Sequence, residues 1–89
     1  MDSYKEHLLV VLMEECAEVQ QACAKILRFG QSKDKLNDLL LEWNDLLAVS
    51  EMVNKEVLPL TQSRILVERK KERVNMYYQE KQQQQEEKL

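Results

Sequence analysis

Glycine, proline, threonine, histidine, phenylalanine and tryptophan each occur once in this 89-residue chain. With one Gly, one Pro and one Thr, hairpin turns and β-strands have almost nothing to be built from. No apolar run is long enough to span a membrane, and no charged-then-apolar leader opens the chain, so a soluble, cytoplasmic protein is expected. The lone histidine, His7, cannot supply the repeated Glu-x-x-His pattern of di-iron bundles; it is read as facing solvent or a subunit contact. Cysteine is scarce too. Cys16 and Cys23 stand seven residues apart on one expected helix, so their Cα atoms lie roughly 10 Å apart, beyond disulfide reach. A reducing compartment fits, and both thiols are expected to be small buried groups on the core stripe.

What the chain has in quantity is Gln, Glu, Lys, Leu and Ala, the residues that favour helix. The expected fold is all-α: a helical hairpin plus a third helix, assembling into an oligomeric bundle. Ser3-Tyr-Lys-Glu6 matches a capping box, so the first helix should start at about residue 4. Gly30 ends it, with Arg28 in the last turn favourable to the helix dipole. The short "GQSKD" connector implies an antiparallel neighbour. Ser32 or Asp34 caps the second helix, which runs to about Val57. Pro59 stops its continuation, and Thr61 or Ser63 can cap the third. Residues 1–80 form the helical domain, and the Gln-rich segment 81–89 reads as a frayed or disordered tail.

The first helix carries one apolar stripe, formed by Leu8, Leu12, Cys16, Val19, Cys23 and Ile26. The second is apolar on nearly every side. One face holds Leu36, Leu39, Leu40, Trp43, Leu46, Leu47, Val53 and Val57; another holds Leu41, Ala48, Val49 and Met52. Such a helix is buried nearly all round, and three short helices cannot surround it from one chain. At this length a lone core is thin in any case. A homodimer or a dimer of dimers is therefore expected, with Trp43 packed in the core. The net charge of −3 is uneven: residues 1–58 hold eleven acids against six bases, and residues 59–89 seven bases against five acids. The basic end can meet a phosphate-bearing ligand or the acidic segment of another subunit, whereas the net acidity disfavours nucleic acid.

Against this apolar pattern, both hairpin helices aim acids inward. Glu15 points into the stripe of the first helix and Glu18 lies at its edge; Asp45 lies inside the second apolar face of the next helix, with Glu42 between the two faces. Each pair has the i, i+3 spacing that puts both side chains on one face. If the chain reverses near residue 31 or 32, Glu18 falls level with Asp45, and the other two lie within about two turns. Burying four unpaired carboxylates is prohibitive. Protonation or bound cations relieve it, and an all-oxygen set suits a hard ion such as Mg²⁺. The alternative is that the acids are exposed and pair with lysines on a solvated face.

Glu14-Glu15-x-x-Glu18, a 23-residue gap, and Glu42-x-x-Asp45 together resemble the EExxE…ExxD signature of the MazG-like all-α nucleoside triphosphate pyrophosphohydrolases. "LLVVLMEECAEVQQACAKILRFG" and "LLLEWNDLLAVSEMV" are similar to small, phage-type members, over roughly residues 6–57 and more loosely at "KKERV". The resemblance implies hydrolysis of nucleoside triphosphates to monophosphate and pyrophosphate, in the host cytoplasm for a phage-encoded chain. It implies Glu15, Glu18, Glu42 and Asp45 as ligands of Mg²⁺, with Mn²⁺ able to replace it. Glu14 and Glu15 become the candidate catalytic acids, Glu14 orienting the attacking water or else lying solvated. Lys70, Lys71 and Arg73, the densest basic run, become candidate phosphate contacts, although a solvated helix face explains them equally. Asn75 and Tyr78 are further substrate contacts or packing residues. The competing reading, from another class, is a non-catalytic oligomeric helical interaction module.

Overall fold

The computed structural model describes residues 1–88, and these residues form three helices and no strand. These are α1 (Ser3–Phe29), α2 (Lys33–Glu56) and α3 (Arg64–Lys88). The cap of α1 is Asp2 rather than Ser3: its carboxylate accepts the Lys5 amide at 2.8 Å. Asp2 has the extended backbone an N-cap needs and adds a negative charge at the positive end of the helix. Gly30 ends α1 at φ 96° and ψ 172°, a region essentially reserved for glycine, and its N–H donates to the Ile26 carbonyl at 2.8 Å. Ser32, not Asp34, then caps α2 by accepting the Lys35 amide at 3.3 Å. Asp34 instead occupies the first turn of α2.

With so short a reversal, α1 and α2 lie against each other as an antiparallel hairpin, and among the described residues they are the only helices whose backbones run close together. The core between them is small. Leu8 and Val53, at the end away from the connection, are each 2% exposed; Ala22, nearer the connection, is also buried. Leu12, Val19 and Ile26 of the α1 stripe are half-buried, as are Leu39, Leu46 and Val49 of α2.

Three features of the single chain differ from the sequence reading. Cys16 and Cys23 are free thiols as expected, but both are exposed rather than buried. The periodicity located their stripe correctly, but a single partner helix covers only part of its width. Trp43 is 48% exposed and lines an apolar groove of about 550 Å³ with Val19, Cys23, Leu36, Leu39 and Leu40. On the second face of α2, Leu41 is 65% exposed.

The third change concerns α3, which runs unbroken through the Gln-rich segment to Lys88 instead of fading after the late seventies. Gln, Glu and Lys all favour helix, and no Gly or Pro interrupts them. Leu89 lies outside the described residues. Ser63, not Thr61, caps α3 through the Leu66 amide at 3.4 Å, and Asn54 Oδ1 accepts the Leu60 amide in the connection. The backbone of α3 stays apart from α1 and α2, and its first turns share only an open groove with α2, lined by Leu47 and Ser50 on one side and Leu66 and Val67 on the other. A compact domain of this length has a radius of gyration of about 12 Å, and this chain's is 17.3 Å. The third helix therefore stands out from the hairpin and leaves Ile65, Leu66, Val74 and Tyr78 uncovered.

Candidate metal centre

The two acidic pairs meet. One carboxylate oxygen from each of Glu15, Glu18, Glu42 and Asp45 lies within 4.8 Å of the others. Helix geometry explains the meeting: i, i+3 spacing sets each pair on adjacent turns, and the tight reversal at Gly30 brings the pairs to the same height. Glu15 and Glu42 are half-buried, while Glu18 and Asp45 are exposed. Glu15 Oε2 and Glu42 Oε2 are each shut off from solvent and lack a hydrogen-bond partner.

This crowding disfavours ionisation. Burial, then the charges of Glu18 and Asp45, raises the pKa of Glu15 above the ordinary glutamate value, with Glu14 adding the smallest push. The pKa of Glu42 is raised as well, first by its hydrogen bond with Glu18, then by burial and by the charges of Glu18, Asp45 and Glu15. A proton or a cation would relieve this crowding, and the four residues could hold a cation. All four offer hard oxygens, and two of those oxygens are orphaned. Opposite ligands on one Mg²⁺ stand about 4.2 Å apart, from bonds of about 2.1 Å, so the observed spread needs only a small inward adjustment.

Not every candidate residue joins the cluster. Glu14 is exposed and next to it, near enough for its charge to bear on Glu15. Lys70, Lys71 and Arg73 lie on the projecting α3, and the single chain does not bring them to the carboxylates. Lys71 instead pairs within its own helix with Glu68, at 3.3 Å, and Arg64 meets the same carboxylate at 3.1 Å. His7, Asn75 and Tyr78 are exposed.

The sequence reading missed the cations that do adjoin the cluster. From Glu18 and Glu42 a cleft of about 300 Å³ runs toward the helical connection, lined by Gln21, Lys25, Lys35 and Asp38 over Ala22. Lys25 follows Glu18 by seven residues and Lys35 precedes Glu42 by seven, two turns along the same faces. That periodicity was present in the sequence, but the lysines are scattered, and the contiguous "RKKER" run of α3 drew the reading instead.

Comparison of the chain with protein-family models, curated proteins and solved structures finds no match.

Proposed function

We propose that the chain is a Mg²⁺-dependent nucleoside triphosphate pyrophosphohydrolase, and that the convergence of Glu15, Glu18, Glu42 and Asp45 between two helices carries the reading. The motif's resemblance to the MazG-like enzymes supports it, as does the pair of orphaned carboxylate oxygens. The four acids would hold Mg²⁺, which when bound supplies charge neutralisation for the triphosphate and a more acidic bound water. In the overall reaction a water oxygen bonds to the α-phosphorus and the α–β bridging bond breaks. The electron pair leaves with pyrophosphate, and one proton is released. Glu14, solvated at the edge of the cluster, orients that water through its carboxylate and takes the proton.

The functional unit in this reading is a homodimer or a dimer of dimers. The uncovered apolar faces of α1, α2 and α3, together with a core of so few buried side chains, support that assembly. Lys70, Lys71 and Arg73 can then serve a cluster only through a neighbouring copy. The same exposed faces also favour the second reading, an interaction module without chemistry, but that reading leaves the carboxylate cluster unexplained.

The test is to incubate the purified chain with Mg²⁺ and a panel of canonical and modified nucleoside triphosphates, ribo- and deoxyribo-, and measure monophosphate. Glu18→Gln and Asp45→Asn should each remove most of the activity, and the double variant little more, because ligands of one centre act as a unit. No monophosphate from any substrate, or additive losses in the double variant, overturns the proposal.

A further inference from the structure

The cleft beside the carboxylates is built differently from the rest of the surface. It opens directly off Glu18 and Glu42, and buried Ala22 floors it. Its walls carry two ammonium groups, one on each helix, beside the carboxylates of Glu18, Asp38 and Glu42, and no aromatic side chain. Lys35 is half-buried, with its Nζ 5.4 Å from the centre of the Phe29 ring, a cation–π contact that favours a fixed position at the cleft. The ion pairs among the described residues are confined to α3, so neither Lys25 nor Lys35 is in direct contact with a carboxylate. A purine or pyrimidine is held by stacking on aromatic or apolar walls, which this cleft lacks. With Glu18 and Glu42 taken up by a bound cation, two ammonium groups lining one polar groove suit a polyanion.

We infer that Lys25 and Lys35 form the subsite for the terminal phosphates of the substrate, so that the pyrophosphate end lies in the cleft toward the helical connection and the nucleoside points away from it. The inference rests on the pyrophosphohydrolase reading. It adds an orientation for the substrate and assigns the phosphate contacts to the hairpin itself. It also implies that this subsite contributes affinity without regard to the base.

The test uses the full chain and two probes, Mg²⁺ alone and inorganic pyrophosphate with Mg²⁺, titrated calorimetrically into wild type, Lys25→Met, Lys35→Met and the double variant. Lys33→Met, at an exposed position on α2 outside the cleft, controls for net charge. Removing a cation beside the cluster should leave Mg²⁺ affinity unchanged or raise it, while pyrophosphate affinity falls about tenfold for each lysine, the scale of one charge-assisted hydrogen bond. The KM for nucleoside triphosphates should rise in parallel and equally for every base. Lys33→Met should change neither. Normal Mg²⁺ binding with pyrophosphate affinity unaffected by Lys25→Met and Lys35→Met overturns this inference alone, as does a KM effect confined to one base. Failure of the wild type to bind Mg²⁺ overturns the pyrophosphohydrolase reading and this inference with it.

Discussion

Four carboxylates held against one another should make the difference in melting temperature between the wild type and a variant that lacks one of them change sign when Mg²⁺ is added. Without a divalent cation, the wild-type cluster opposes folding, because Glu15 and Glu42 are disfavoured as anions by burial and by their neighbours. Replacing Glu15 by Gln removes one charge and keeps the shape, so in EDTA the variant should melt at or above the wild-type temperature. With Mg²⁺ the order reverses. At free Mg²⁺ a hundred times the dissociation constant, mass action adds about 2.7 kcal/mol to the folded state. For a chain of 89 residues each kcal/mol moves the Tm by roughly 4–8 °C, so near-saturation should raise the wild-type Tm by roughly 11–22 °C. The variant, short of one ligand, should rise by less than half of that. Circular dichroism melts in EDTA and across a Mg²⁺ titration measure both arms. A wild-type Tm indifferent to Mg²⁺, or a Glu15→Gln chain that melts below wild type in EDTA, refutes the reasoning.

Protons should compete with the ion. The folded cluster binds more protons than the unfolded chain, so apo stability should fall as pH rises from the ordinary glutamate range, about 4.3, through the raised pKa values of Glu15 and Glu42. Over the same window Mg²⁺ affinity should increase with pH; titration at several pH values checks both signs. Leu8→Ala removes one of the few buried apolar groups and should cost about 2–5 kcal/mol in urea unfolding. Trp43→Glu puts a charge in the exposed apolar groove of the hairpin, so light scattering should show a smaller assembly than wild type.

The hairpin was largely legible in the sequence because each of its decisions is local. Gly30, Ser32 and the 3.6-residue period of apolar positions each act within a turn or two. The meeting of Glu15, Glu18, Glu42 and Asp45 followed from two helical spacings and one short reversal, which together fix the register. What the sequence left open depends on contacts that helical periodicity does not encode. The stripe containing Cys16 and Cys23 shows which way those residues face, but the width of that face covered by α2 depends on how the helices cross. Nothing in the α3 pattern says whether it folds back on the hairpin, since its apolar residues are spread around the helix rather than gathered on one side. Lys25 and Lys35 were visible individually, but that both line one cleft appears only once both helices are in place.

The most direct test of the central claim is the identity of the bond that breaks. Phosphorus NMR can follow a nucleoside triphosphate mixture incubated with the wild-type chain and Mg²⁺, with an EDTA-treated sample and a Glu18→Gln, Asp45→Asn chain alongside. Cleavage between the α and β phosphates should give monophosphate and pyrophosphate in equal amounts in the wild-type sample, and nearly none in the other two. Diphosphate with inorganic phosphate, equal turnover in all three samples, or no turnover in any would contradict the account.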